Sequence, residues 1–327
     1  MKSPPSAPPL IFIYTGNSLP PYAPHSLALA SQNYSGPIYL LTDRVPEFSL
    51  GRVITIDIRD WYEPESFERF AAQSPLDNLF QGGFWLLAAE RLFILDQFLS
   101  RFGYSRAFHA ELDVLVVDLE GYDQILDGHA QGVFAPMDDP SRALASLMYV
   151  NDSEAIASLV RYSIDNVNLG DEMHILGCFI RDHPEKGHAL PSDHALAENG
   201  WPYSPSAVDR EHGLVDAVGF GKWLLGLDHR RMEKTSWNHA DNEKPNPRLP
   251  SLRFSASLSG KRVTVSSPAA ASYSIRSLHI HSKLHRWLRI PGFLALVCAL
   301  ANRKHKSPIV VKWNGWLGVT VDLLLTT

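Results

Sequence analysis

Short apolar runs and longer segments of helical period alternate through the first half of the chain. The runs LIFIYTGN, PIYLLTD and GRVITIDI each predict a buried strand that ends in turn residues. The first two are separated by an apolar stretch from Tyr22 to Ala30, and the segment from Phe84 to Phe102 has apolar residues at helical spacing. A fourth strand is predicted within RAFHAELDVLVVD. Strands that alternate with helices predict an α/β fold with a mostly parallel sheet flanked by helices.

The pattern changes after about residue 132. GVFAPMDD predicts a strand, SEAIASLVRYSI predicts a helix, and the segment from Asp171 to Phe179 predicts a short helix or a turn. From His183 to His212 the chain is rich in Pro, Asp and His, which predicts a loop. Two or three strand-like runs follow, FSASL, RVTVS and SLHIHSK. We expect this second half to be smaller and partly antiparallel.

Composition narrows the class of protein. Of the 327 residues, 45% are hydrophobic and 20% are charged, which excludes a disordered or fibrous chain. The 30 basic and 35 acidic side chains give a formal charge of −5, so no overall positive field is available to hold a nucleic-acid backbone. We therefore expect no nucleic-acid partner.

The N-terminus predicts a disordered Pro-rich tail over residues 1–9, since four prolines follow a single Lys. The apolar run after it, from Leu10 to Tyr14, is too short for the core of a signal peptide, so we expect a cytoplasmic protein. No stretch reaches the roughly 18 to 20 apolar residues that span a bilayer. The basic, partly apolar segment 286–327 has two interpretations: a helix and strand packed on the main domain, which we favour, or a peripheral contact with the inner face of a membrane.

Several common catalytic signatures are missing from the sequence. TGNSLPPY lacks the three-glycine spacing of a dinucleotide-binding turn. The chain also has no GxxxxGK[ST] loop, no GxSxG elbow and no HExxH helix. These absences remove the local support for dehydrogenase, NTPase, serine-hydrolase and zinc-protease interpretations.

An acidic pair in FHAELDVLVVD is the sharpest chemical feature. Glu111 and Asp113 stand two residues apart where a strand meets a loop, and at period two both side chains point to one face. Two converging carboxylates repel each other unless a cation lies between them, so the pair indicates a divalent metal. The alternative is a surface strand that carries two solvated acids.

A second candidate cluster lies in SLHIHSK. His279 and His281 alternate on a strand-like run, and Lys283 follows on the same face if the strand continues. Carboxylates joined by one imidazole suit manganese better than calcium. The alternative is a structural His beside a solvated strand edge, and with 14 histidines in the chain this alternative stays open.

The chain resembles nucleotide-sugar-dependent glycosyltransferases of the GT-A fold. The resemblance covers most of residues 10–283 and rests on IFIYTGNSLPPYAPHSLALASQNYSGPIYLLTD, GFWLLAAERLFILDQFL, RAFHAELDVLVV, GLVDAVGFGKWLLGLDHR and SLHIHSK. In that family a DxD motif binds a divalent cation, usually Mn²⁺, that holds the diphosphate of a UDP-sugar. Here the resemblance assigns the motif to Glu111 and Asp113, with Glu replacing the first Asp.

The branch of that family that includes glycogenin and the bacterial lipooligosaccharide galactosyltransferases completes the metal site with a C-terminal His and places a Lys on phosphate. His279 or His281, with Lys283, are the matching positions. Arg91 matches a basic residue near the donor; its alternative is a surface Arg paired with Glu90 or Asp96.

Further site residues follow from the same resemblance. Asp171, ranked above its neighbour Glu172, and Asp138 are expected near the reacting sugar, although either position also suits a helix or loop cap. The remaining expected donor-binding residues are Thr15, Asn17 and Asp43.

The resemblance thus implies a metal-dependent glycosyltransferase domain over residues 10–285, followed by a C-terminal extension over 286–327. Its expected cofactor is Mn²⁺ or Mg²⁺, its expected donor is a UDP-sugar, and its acceptor is a hydroxyl on a glycan, a lipid-linked sugar or another molecule. The alternative is a catalytically silent nucleotide- or sugar-binding protein of the same fold.

Overall fold

A computed structural model describes residues 7–16, 18–46, 51–76, 83–192, 212–217, 219–225, 253–256, 262–266, 272–280, 309–314 and 320–325. The helices in these ranges are α1 (Ala23–Asn33), α2 (Glu65–Gln73), α3 (Phe84–Phe102), α4 (Tyr122–His129), α5 (Ser153–Asp165), α6 (Glu172–Asp182) and α7 (Gly219–Leu225). Short 3-10 helices cover Ile58–Asp60 and Val167–Leu169.

The strands of the first two-thirds of the chain are β1 (Leu10–Tyr14), β2 (Ile38–Thr42), β3 (Val53–Asp57), β4 (Ala107–Ala110), β5 (Val114–Val116), β6 (Val133–Asp139), β7 (Arg142–Ala143), β8 (Leu147–Val150), β9 (Gly187–Leu190) and β10 (Leu214–Val215). The later ones are β11 (Arg253–Ala256), β12 (Val263–Ser266), β13 (Ser272–His279), β14 (Ile309–Asn314) and β15 (Thr320–Leu325).

An eight-stranded sheet forms the centre of the fold, in the order β3-β2-β1-β4-β8-β6-β7, with β9 beside β6. The first four strands are parallel in register, and β8 pairs antiparallel with both β4 and β6. The predicted class is therefore confirmed: an α/β fold with a mostly parallel sheet between helices.

Alternate residues of β1 face opposite layers of the core. Ile11 and Ile13 pack into a cluster with α3, α5 and α6, whereas Leu10 and Phe12 pack into a cluster with α1 and α4. Because both faces are covered, β1 is almost wholly apolar rather than alternating. The predicted helix over 84–102 is observed with those bounds, and it ends at Gly103, whose φ of +70° suits glycine.

One expectation about elements is incomplete and another is wrong. The strand predicted within RAFHAELDVLVVD is observed as β4, in the eight-stranded sheet, and the same run also contains β5, which pairs antiparallel with β13 in a second sheet. The expected loop from His183 to His212 contains strand β9, which pairs parallel with β6. In both cases the strand is stabilised by partners far away in the chain, which local composition does not reveal.

The second sheet has the order β10-β13-β12-β11, with β5 also paired to β13. The predicted runs FSASL, RVTVS and SLHIHSK correspond to β11, β12 and the end of β13. Strands β14 and β15 pair antiparallel with each other within the predicted extension. Among the described residues, no helix has the length and apolar character needed to cross a membrane.

Candidate functional site

Three of the predicted site residues lie where parallel strands of the main sheet end. Thr15 follows β1, Asp43 follows β2 and Glu111 follows β4. These strands are parallel neighbours, so their carboxyl ends share one edge of the sheet. In open α/β sheets, ligands bind at this edge.

Glu111 and Asp113 lie in a turn between β4 and β5, not on one face of a continuous strand as the alternation predicted. The turn is closed by the Val114 amide, which donates to the Glu111 carbonyl at 3.0 Å, while the Glu111 amide donates to the Ser146 carbonyl at 3.1 Å. Both carboxylates still converge, because the turn reverses the chain between them. The predicted pairing therefore forms, for a different geometric reason.

His279 is brought to the acidic turn by strand pairing. Val114 is the register partner of His279 in the β5–β13 ladder, and the Ile280 amide donates to the Asp113 carbonyl at 2.9 Å. The imidazole Nε2 lies 3.6 Å from Glu111 Oε2 and 3.5 Å from Asp113 Oδ1. One ligand atom from each of the three residues lies within 4.8 Å of the others, a spacing that a single metal ion fits.

The electrostatics of this triad favour positive charge at its centre. Burial alone lowers the pKa of His279, but the nearby carboxylates of Asp113 and Glu111 outweigh it and raise the pKa to about 9. The proton of the His279 imidazolium thus lies between the carboxylates of Glu111 and Asp113, where a divalent ion would also bind. Two hard oxygen donors and one imidazole form a ligand set that suits Mn²⁺.

Arg91 is a largely buried partner of this turn rather than a surface residue. Its Nη1 lies 2.6 Å from Glu111 Oε1, and its Nη2 lies 3.5 Å from Glu172 Oε1. The alternative pairing with Glu90 or Asp96 is therefore wrong. Because Arg91 binds one oxygen of Glu111, the other oxygen, Oε2, is the one that faces His279.

Glu172 joins the site, although the sequence ranked its neighbour higher. It begins α6, is 4% exposed, and its Oε2 has no hydrogen-bond partner within the described part of the chain. Burial raises the pKa of Glu172 to about 8, and Arg91 only partly opposes that shift. The Glu172 side chain therefore lies beside the acidic turn, and within the described residues its Oε2 accepts no hydrogen bond.

The Asp171 carboxylate contacts the first turn of α6, the helix that follows it. Its Oδ1 accepts from the His174 amide at 3.0 Å and lies 2.8 Å from the His174 ring Nδ1. Burial opposes ionisation, but these contacts with His174 lower the pKa of Asp171 below its ordinary value. The carboxylate thus acts as the N-cap of α6, and its catalytic role stays a prediction.

A second acidic group lies beside Thr15 and Asp43. Glu90, on α3, has a pKa raised first by burial and then by the charge of Asp43, while the nearby hydroxyls of Thr15 and Tyr62 oppose the rise. The sequence offered no signal for Glu90 beyond its place on the helix. Of the other predicted residues, Asn17, His281, Lys283 and the side chain of Asp138 lie outside the described parts of the structure.

No protein-family profile and no curated protein matches the chain. Solved structures do resemble it. Mouse xyloside xylosyltransferase 1 in its apo form is 12% identical over 56% of this chain and 85% of its own, with a TM-score of 0.41. The galactosyltransferase LgtC, in complex with donor and acceptor sugar analogs, is 11% identical over 92% of this chain and 97% of its own, also with a TM-score of 0.41.

A third similar structure is the glycosyltransferase GlyE of Streptococcus pneumoniae, which is 15% identical over 57% of this chain and 45% of its own, with a TM-score of 0.34. All three proteins are glycosyltransferases, the class that the sequence resembles.

Proposed function

We propose that this chain is a metal-dependent glycosyltransferase that moves a sugar from a nucleoside-diphosphate donor, expected to be a UDP-sugar, to a hydroxyl acceptor. The observation that carries the proposal is the triad of Glu111, Asp113 and His279 at the carboxyl edge of the parallel sheet. Two members of the triad lie in one turn and the third ends a strand of the second sheet, and their three ligand atoms lie within 4.8 Å of one another.

The donor set supports Mn²⁺ or Mg²⁺ as the cofactor. A six-coordinate ion held by one atom from each of three protein ligands has further positions for phosphate oxygens and water. Arg91 occupies Glu111 Oε1, so Glu111 offers the ion one oxygen rather than two. The incomplete protein shell is why we expect the ion and the nucleotide to bind together.

When bound, the divalent ion neutralises the negative charge that develops on the departing diphosphate. The chain's own residues prepare that position. Asp113, Glu111 and His279 hold the cation site, and Arg91 orients Glu111 from its buried place on α3. Lys283, from the resemblance, is proposed to contact phosphate, and Asp171 and Asp138 are proposed to lie near the reacting sugar.

The experiment that tests this function is a panel of nucleotide-sugars, incubated with the purified protein and Mn²⁺, with released nucleoside diphosphate as the readout. We expect release from at least one UDP-sugar, abolished by EDTA and by Asp113→Asn. Asp165→Asn is the matched control, because Asp165 is an exposed acid at the end of α5, on another element.

Two outcomes would count against the proposal. If UDP raised the melting temperature as much in excess EDTA as in Mn²⁺, the metal-bridged site would be wrong, because a ligand stabilises the fold in proportion to its binding. If UDP bound with Mn²⁺ but no donor in the panel released it, the chain would be a silent binding protein of this fold.

A further inference from the structure

We propose that Asp216 is a positioning residue for His279, whose main chain it fixes beside the turn that carries Glu111 and Asp113. The inference rests on the proposed metal site and deepens it. Asp216 lies directly after β10 and is fully buried, at 0% exposure. Its carboxylate binds the main-chain amide of His279, and its effect on the metal site is exerted through that residue.

The Asp216 carboxylate binds three main-chain amides. Its Oδ1 accepts from Phe220 at 2.9 Å, and its Oδ2 accepts from Gly221 at 2.6 Å and from His279 at 2.8 Å. A buried carboxylate is costly unless such donors compensate its charge. Here the compensation joins two elements, the first turn of α7 and the last residue of β13.

Gly221 makes this junction possible. A Cβ at this position would lie 1.8 Å from the His279 carbonyl oxygen and 2.9 Å from Asp216 Oδ2. Only a residue without a side chain allows α7 to approach the main chain of His279 so closely. The motif GLVDAVGFGKW therefore supplies both the acid and the glycine that fix the end of β13.

His279 is consequently held from two sides. The pairing with β5 places Val114 opposite it, and the Asp216 carboxylate binds its amide. His279 is the last residue of its strand, where the ladder alone gives least restraint. The Asp216 contact supplies the restraint from the side of α7.

Helix capping is the competing explanation, because the Phe220 and Gly221 bonds by themselves would stabilise α7. Capping explains those two bonds but not the third, to His279. The two roles predict different measurements. A cap that was lost would lower stability only, whereas a lost positioning contact would also weaken the metal site.

The test is a thermodynamic cycle on the full chain, with Mn²⁺ alone as the probe and its dissociation constant as the readout. Asp216→Asn keeps the side-chain shape, but it has one acceptor oxygen instead of two and no negative charge, so it cannot compensate all three amides. We expect about a tenfold loss of Mn²⁺ affinity, the scale found when residues that support metal ligands are replaced. His279→Ala should lose at least as much, and the double variant no more than His279→Ala.

Two further variants separate positioning from simple destabilisation. Asp216→Ala removes both acceptor oxygens, so it should lose at least as much Mn²⁺ affinity as Asp216→Asn. Leu224→Ala opens a cavity at the buried face of α7 but keeps the Asp216 carboxylate, so it should lower the melting temperature and leave Mn²⁺ affinity unchanged.

Failure of the metal site and failure of the role of Asp216 would give different Mn²⁺ affinities in these variants. If His279→Ala bound Mn²⁺ like the wild type, the metal site itself would be overturned, and the inference with it. If His279→Ala lost affinity while Asp216→Asn and Asp216→Ala retained it, Asp216 would be a helix cap and the inference alone would fail. Additive losses in the double variant would also overturn it, because the two residues would then act independently.

Discussion

The two sides of the proposed metal site are built differently. The acidic side is a single short turn, in which Glu111 and Asp113 belong to one continuous stretch of sequence at the end of β4. The imidazole side is assembled from β13, β10 and α7, which approach that turn through the second sheet. The carboxylates are therefore neighbours in the sequence, whereas His279 becomes their neighbour only when β5 and β13 pair.

The two sides should therefore respond differently to substitution. The acidic turn is supported by the buried counter-charge of Arg91, so charge balance determines its stability. The imidazole side is supported by main-chain hydrogen bonds and a close glycine contact, so shape determines its position. Substitutions that alter charge should therefore act most strongly on the first side.

The largest effect should come from Asp113→Asn. It removes a ligand charge from the cation site while preserving the side-chain shape, so donor turnover should fall by at least about a hundredfold, the scale of several kcal/mol of lost charge stabilisation. Released nucleoside diphosphate in the presence of Mn²⁺ is the measurement. Normal turnover in this variant would mean that the acidic turn is not the metal site.

Arg91→Met should be the most destabilising change on the acidic side. It leaves Glu111 and Glu172 close together without the cation between them, which for a broken buried pair costs about 3–5 kcal/mol. Urea unfolding measures the loss. Arg161→Met is the control, since its pair with Glu154 is exposed to solvent and should contribute little to stability.

The combined variant Arg91→Met with Glu172→Gln tests whether Glu172 repels Glu111 when Arg91 is absent. At a pH above the raised pKa of Glu172, about 8, its carboxylate is charged, and removing it relieves part of the repulsion. The combined variant should then be more stable than Arg91→Met alone. A combined loss equal to the sum of the two single losses would show that Arg91 and Glu172 do not interact.

The pH dependence of the metal-free protein reports on the imidazole side. The pKa of His279 is raised from 6.5 to about 9, so the folded state binds its proton more tightly than the unfolded state does. The resulting stability is fully present below pH 6.5 and is lost as pH rises through about 9. Melting temperatures in EDTA at pH 6 and pH 9 should therefore differ more in the wild type than in His279→Asn. Equal differences would mean that the carboxylates do not face the imidazole.

The smallest effect should come from the two acids that cap helices. Asp171→Ala removes the N-cap of α6, and Asp152→Ala removes the N-cap of α5, each at a cost of about 1 kcal/mol. The predicted catalytic role of Asp171 requires turnover to fall in the first variant and not in the second. If both variants lost stability and neither lost turnover, Asp171 would be a cap only.

The sequence by itself determined the parts of this protein that depend on local order. The apolar runs predicted the strands of the parallel sheet, and the helical spacing predicted α3 with its observed bounds. The acidic pair and the run SLHIHSK could both be identified in the sequence, because carboxylates and imidazoles are the side chains that bind divalent metals. The sequence leaves the choice between His279 and His281 open; His279 lies beside the acids, and His281 lies outside the described residues.

The tertiary structure alone decided how those parts meet. The division of RAFHAELDVLVVD into β4 and β5 depends on β13, which is distant in the sequence. The pairing of Arg91 with Glu111 and Glu172, rather than with acids on its own helix, depends on how α3 and α6 pack against the end of β4. Asp216 carries no local signal for its contact with His279, because a buried carboxylate binds whichever amides the fold brings to it. Local periodicity reflects the nearest few residues, whereas these contacts are selected by burial and charge compensation across the whole chain.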